Sequence, residues 1–255
     1  PQAYLLENPH TVEIIEKEFI TEEEKKDGDF GINVSLLPWI ILSKDNKMII
    51  PTDSVLTVVE PLESVTQLYL DKLESFESII CLDGGTDKLI KLGYKPTCII
   101  GDLDSLAKKP EDYGCELITL PEQSKNDLEK GLEWCLDKGI KDITLVGFSG
   151  LRDDHNAAAL FSLRTFSEKM DITMLTNHSV VHCKRGKSKF RVSKGQLISI
   201  LTNQYDTLIR TSGLEYELSN EKLLSPGNGI SNIAISNHIE IDSNDWVWIF
   251  INHLE

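Results

Sequence analysis

Two carboxylates stand two residues apart in Ile99-Ile100-Gly101-Asp102-Leu103-Asp104-Ser105, directly after a run of apolar side chains. Hard divalent cations such as Mg²⁺ take oxygen ligands and are commonly held by a few carboxylates beside substrate phosphates. On an extended chain, residues i and i+2 face the same side, so Asp102 and Asp104 can share one ion. Gly101 lets the backbone turn and a ligand come close. Taken alone, the pair reads more readily as an acidic surface loop. Two more apolar runs end in similar punctuation. Ile79 to Leu82 leads into Asp83-Gly84-Gly85, and Ile143 to Val146 leads into Gly147-Phe148-Ser149-Gly150-Leu151-Arg152-Asp153-Asp154-His155. That repetition favours a cation site.

The stretch Gln123-Ser124-Lys125-Asn126-Asp127-Leu128-Glu129-Lys130 adds a second kind of group. Asp127 and Lys130 are three apart in the first turn of an expected helix and so share a face. An acid for a metal beside a lysine for phosphate suits a nucleoside triphosphate. The same spacing also makes an ordinary surface ion pair.

Positioning these groups requires a sheet. Apolar runs at 39–42, 79–82, 97–100, 117–120 and 143–146 are short and rich in Ile, Val or Leu, with helical patterns near 63–75, 86–92, 126–138 and 154–168. Strands alternating with helices predict a parallel sheet covered on both faces, whose strand carboxyl ends line one crevice. The clearest helix starts at Asn126. Asn126 and Glu129 form a capping-box pair, Leu128, Leu132, Cys135 and Leu136 an apolar stripe, and Gly139 the stop. Beyond residue 171 the helical period gives way to short segments at 172–176, 179–183, 189–192, 197–201, 207–210, 233–236, 238–241 and 246–251. These predict an antiparallel sandwich or barrel. The expected organisation is an acid-rich arm over 1–38, an α/β unit over 39–173 with an open, mainly parallel Rossmann-like sheet, and an all-β unit over 174–255.

Composition narrows the partners. The 255 residues carry a net charge of −15, with 40% hydrophobic and 26% charged residues. Such a chain buries a proper core and is a poor match for nucleic acid, which is bound by basic surfaces. A small anionic substrate is still compatible, because a bound cation reverses the local sign. Five scattered cysteines with no C-x-x-C pair read as buried hydrophobes in a reducing compartment. No run approaches the roughly 18 apolar residues of a membrane span, and no signal-peptide pattern opens the sequence. A cytoplasmic location is the expectation.

Together these residues resemble the thiamine pyrophosphokinase family. The matching segments are Asp83-Gly84-Gly85, Gly101-Asp102-Leu103-Asp104-Ser105, Gln123 with Asp127 and Lys130, and Gly150 with Arg152, Asp154 and His155. The β half adds Ser212-Gly213-Leu214-Glu215-Tyr216-Glu217-Leu218 and Gly229-Ile230-Ser231-Asn232, so the resemblance runs in order over about 79–251. It implies transfer of a pyrophosphoryl group from Mg-ATP to thiamine within a homodimer. It also implies site roles. Asp102, Asp104 and Asp127 would serve metal and phosphate, with Asp83 close by. Gly101, Ser105, Gln123, Lys130 and Arg152 would meet the nucleotide. Asp154 and His155 would orient the transfer site on the thiamine side, with Tyr216, Ser231 and Asn232 facing thiamine. The chain departs from the family pattern at Thr86, Asp87, Lys88, Asn126 and Leu151, where Ala, Asn, Arg, Thr and Gly are usual.

Other readings are weaker. Gly147-Phe148-Ser149-Gly150-Leu151 lacks the final glycine of a hydrolase nucleophile elbow. His178, His182 and Cys183 lack a second pair of zinc ligands, and no G-x-x-x-x-G-K-[ST] loop exists. Trp246-Val247-Trp248-Ile249-Phe250 reads as a core or dimer strand. The second function to weigh is a nucleotide- or thiamine-binding sensor without turnover.

Overall fold

The computed structural model describes residues 40–42, 48–49, 79–83, 85–91, 94–122, 124–146 and 153–254. The arm over 1–38, the helical pattern at 63–75, Gly84, Gln123 and the segment 147–152 with Arg152 lie outside these residues. Within them the fold is rich in sheet and has few helices. Strands β1 (Ile40–Leu42), β2 (Met48–Ile49), β3 (Ile80–Leu82), β4 (Cys98–Gly101), β5 (Glu116–Thr119) and β6 (Asp142–Val146) are joined by helices α1 (Gly85–Lys91) and α2 (Asp127–Asp137). Helix α3 (Asp153–Phe166) then leads to β7 (Asp171–Leu175), β8 (Ser179–Arg191), β9 (Leu197–Leu201), β10 (Ile209–Ser212), β11 (Ser219–Glu221), β12 (Asn232–Ile233) and β13 (His238–Asn252).

Strands β3, β4 and β5 pair in parallel, as do β6 and β7. Within this mainly parallel half, β1 lies between β3 and β6 and is antiparallel to both. Because β1 opposes both neighbours, β3 and β6 run the same way. The carboxyl ends of β3 through β7 therefore share one rim, as the sequence required. Helix α2 forms where its sequence says. The Asn126 side chain accepts the Glu129 N–H at 2.9 Å, and Glu129 returns a bond to the Asn126 N–H. Its buried stripe of Leu128, Leu132 and Cys135 faces β3 and β4.

The β half differs from the expected run of short strands. Segment 179–183 and residues 189–191 of the next belong to one strand, β8, and 238–241 and 246–251 to another, β13. The polar residues between them read as turns but are tolerated because that part of β8 is largely exposed and β13 absorbs a register shift between Ser243 and Val247. Pairing is continuous across the two halves in one thirteen-stranded network, since β7 bonds both β6 and β8.

Two apolar cores stand out among the described residues. One gathers Ile80, Ile100, Leu132, Leu145, Leu163 and Met174, and the other Ile198, Ile200, Ile209, Ile239 and Ile241. Strand β13 serves both, with Trp248 in the first core and Val247, Ile249 and Ile251 in the second. Such alternation is the period-two geometry of a strand. Trp248 also donates its indole N–H to the Leu160 carbonyl at 2.9 Å and meets Phe161 edge-on.

Candidate active site

Asp83 leaves the end of β3 with φ of 42°, a left-handed conformation rarely adopted by residues with a side chain. Its N–H donates to the Ile100 carbonyl, and its own carbonyl accepts both the N–H and the hydroxyl of Thr86, at 2.9 and 2.7 Å. These bonds hold the carboxyl inward, where Asp83 is 1% exposed. Gly101 leaves room for it. A Cβ there would lie 3.0 Å from the Asp83 Cβ, and its φ of 154° disfavours any larger residue.

Ligand oxygens of Asp83, Asp102 and Asp104 all lie within 4.8 Å of one another. The convergence of Asp102 and Asp104 is achieved differently from the extended chain expected. Leu103 adopts φ of 66°, so the chain turns between the two acids, and the Asp104 N–H points to Asp102 Oδ1 at 3.5 Å. Ser105 donates its hydroxyl to Asp104 at 2.9 Å. Burial, and then a hydrogen bond and the charge of Asp102, push the Asp83 carboxyl up to about 7, with further contributions from Asp127 and Asp104. Asp83 Oδ1, buried, has no hydrogen-bond partner. A buried acceptor without a donor, facing two more carboxylates, is a set of oxygens that can hold a hard cation.

Asp127 opens α2 close enough for its charge to act on Asp83, and its Oδ1 pairs with Lys130 at 3.1 Å. The Lys130 side chain is 5% exposed, which is unusual for an ammonium group. It lines a cavity of about 430 Å³ with Leu120, Pro121, Glu122 and Trp134, at the carboxyl end of β5. A second cavity, of about 380 Å³, opens at the carboxyl end of β7. Asn156 and Leu160 of α3, Thr176, Ser199, Ile230 and Phe250 are among its walls.

Asp154 and His155 lie in the first turn of α3, directly before Asn156. Ser231, with φ of 58°, follows Ile230, and its N–H donates to Ser199 Oγ at 3.0 Å. Asn232 clamps the backbone of Tyr216: its Oδ1 accepts the Tyr216 N–H at 3.1 Å and its Nδ2 donates to the Tyr216 carbonyl at 2.6 Å. The Tyr216 ring is 70% exposed. Thus Asp83, Asp102 and Asp104 converge; Asp127 stands outside that cluster but near enough for its charge to reach Asp83, Lys130 pairs with Asp127, and residues next to Asp154–His155 and to Ser231 wall one cavity. Ser199 and the Thr86 hydroxyl escaped the sequence reading. A serine inside the apolar run Leu197-Ile198-Ser199-Ile200-Leu201 was the available signal for the first. His178, His182 and Cys183 gather no further ligand among the described residues.

Comparison with known proteins agrees. The family model described as thiamin pyrophosphokinase, catalytic domain, matches residues 69–175. Thiamin pyrophosphokinase 1 of Caenorhabditis elegans is 26% identical over 197 residues, covering 66% of this chain and 80% of that protein. The solved yeast thiamin pyrophosphokinase superposes with a TM-score of 0.64 at 14% identity, over 92% of this chain and 95% of that one. The Bacillus subtilis thiamine pyrophosphokinase gives 0.58 at 21% identity, over 69% and 86% of the two chains. The matched catalytic domain is that of a transferase of the kinase class. Over residues 69–175 the chain resembles the thiamin pyrophosphokinase family.

Proposed function

We propose that the chain transfers the pyrophosphoryl group of Mg-ATP to the hydroxyl of thiamine, giving thiamine diphosphate and AMP. The observation that carries this reading is the convergence of Asp83, Asp102 and Asp104, with one buried acceptor unpartnered, together with the buried Lys130 paired to Asp127. In strand order β7-β6-β1-β3-β4-β5, these acids end β3 and β4, between the cavity at β7 and the cavity at β5. Two substrates entering from opposite sides would meet at the acids. We assign the nucleotide to the Lys130 side, with Gly101, Ser105, Gln123, Asp127 and Arg152. We assign thiamine to the side of Asp154 and His155, with Tyr216, Ser231 and Asn232. A flat cationic ring suits an exposed tyrosine face.

Asp102, Asp104 and Asp127, with Asp83 close by, would hold Mg²⁺. Its chemistry would be to neutralise charge on the transferring phosphates. The chain's own part is positioning and electrostatics, which dominate phosphoryl transfer. Lys130 draws phosphate oxygen toward the acids. Asp154 and His155 orient the thiamine hydroxyl in line with the β-phosphorus. The hydroxyl oxygen bonds to that phosphorus as its proton passes to water, and the bond to the oxygen bridging to the α-phosphorus breaks, so AMP leaves with the electron pair.

The proposed units are a Rossmann-like catalytic α/β part over 39–173 and a thiamine-binding β-sandwich over 174–255, with 1–38 as an arm. The separate core around Ile198, Ile239 and Ile241 supports the second. We further propose a cytoplasmic homodimer. Exposed Leu197, Ile230 and Ile235 lie on or beside β9 and β12 and support association. No helix among the described residues is long and apolar enough to cross a membrane.

Incubation with Mg-ATP and thiamine, followed by chromatography, tests the activity. AMP with thiamine diphosphate is expected, at a rate that falls at least a hundredfold in Asp102→Asn, as for loss of an oriented transition-state charge contact. ADP with thiamine monophosphate, or binding without AMP release as in a sensor, would refute it.

A further inference from the structure

We propose that Asp87 is a positioning residue that straps the loop carrying Asp102 and Asp104 to α1, and so sets where Asp104 stands relative to Asp83. The inference rests on the reading of those three acids as the cation site.

Between the end of β4 at Gly101 and the 3₁₀ turn at Pro110–Tyr113 the chain forms no strand or helix. Sheet pairing therefore fixes only the start of the loop. Its far end is fixed by Asp87. Asp87 Oδ2 accepts the Ala107 N–H at 2.8 Å, and Oδ1 accepts the Tyr113 O–H at 2.5 Å. The Tyr113 oxygen in turn accepts the Lys108 N–H at 3.1 Å. Hydrogen bonds to an ionised carboxylate are roughly twice as strong as neutral ones.

Helix α1 is itself tied to the site. The Thr86 hydroxyl and N–H both close onto the Asp83 carbonyl, so Asp83 and Asp87 ride on one stiff turn. A single short helix thus presents a site acid at its entry and a strap for the opposing loop one turn later. Asp87 does not need to touch substrate to matter, because any slack at Ala107 reaches Asp104 three residues away. Asparagine, usual at this place in the family the chain resembles, offers one acceptor oxygen where the strap uses two.

The test is Mn²⁺ binding without nucleotide, read from the signal of the free ion by electron paramagnetic resonance. It compares the full chain with Asp102→Asn, Asp87→Asn and Tyr113→Phe. Asp102→Asn is expected to lose binding. Asp87→Asn and Tyr113→Phe are each expected to weaken it about tenfold, the scale of one charge-assisted hydrogen bond. In turnover, the same two variants should raise the Mg²⁺ concentration for half-maximal rate by a similar factor, with kcat at saturating Mg²⁺ changed less than about threefold. Tyr113→Phe changes no charge, so weakening in Asp87→Asn alone would be a field effect and would overturn the strap. Wild-type binding in both strap variants, with binding lost in Asp102→Asn, would overturn it and leave the cation site standing. Wild-type binding in Asp102→Asn would remove the cation site and the strap together.

Discussion

Replacing Asp83 by Asn should stabilise the metal-free protein, and only above acidic pH. The side chain is 1% exposed, its Oδ1 lacks a partner, and Asp102, Asp127 and Asp104 add their charges. Its carboxyl rises from an ordinary 3.8 to about 7, burial being the largest cause. The folded-state value lies above the unfolded one, so the folded chain keeps a proton that the unfolded chain has released. Stability is full below about pH 4, falls as pH rises toward 7 and levels off beyond. At 1.36 kcal/mol per unit, the whole penalty is about 4 kcal/mol, more than half of which falls between pH 5 and 8. Asparagine has nearly the same shape and stays neutral at every pH, so it escapes this penalty. Thermal unfolding in EDTA should show the advantage of Asp83→Asn growing by roughly 5–10 °C from pH 5 to pH 8, given about 2–4 °C per kcal/mol at this size. An advantage of equal size at both pH values, or none at either, refutes the buried-acid argument. The variant should still lose the transferase reaction, because its stability is gained by removing a charge that faces the other acids.

Further changes probe the neighbours. Gly101→Ala places a Cβ 3.0 Å from that of Asp83 at a φ of 154°, so a loss of about 1–3 kcal/mol in urea unfolding is expected together with reduced turnover. Lys130→Met keeps the buried stem and removes the ammonium from Asp127. The expected fall in kcat/KM for ATP is about 10–100-fold, from a lost charged hydrogen bond of roughly 1.5–3 kcal/mol. Tyr216→Ala should raise the KM for thiamine by about 3–30-fold while leaving that for ATP within about twofold, since a ring–cation contact is worth roughly 0.5–2 kcal/mol.

The sequence made much of this site legible because acids at strand ends carry both a chemical and a positional signal. Asp83 and the pair at 102 and 104 each followed an apolar run, and the three strands do end at one rim. The capping box at Asn126 and Glu129 fixed the start of α2 to the residue. Less legible were features that depend on contacts remote in sequence. Nothing local told that Asp87 would bond Tyr113, 26 positions away. The turn at Leu103 was hidden because leucine seldom takes a positive φ, so an extended pair was the natural reading. Long strands were split into short ones at Lys184–Ser188 and Asp242–Asp245, where polar residues mark exposed or bulged strand rather than chain reversal.

Strand β13 passes through the protein as a party wall, giving Trp248 to one side and Val247, Ile249 and Ile251 to the other. Neighbouring positions on it therefore report on different halves of the molecule. Because neither half can shed this strand without stripping the other, heat or urea should melt both in a single cooperative step. A boundary near residue 173 would then divide labour between substrates without dividing the mechanics of the chain.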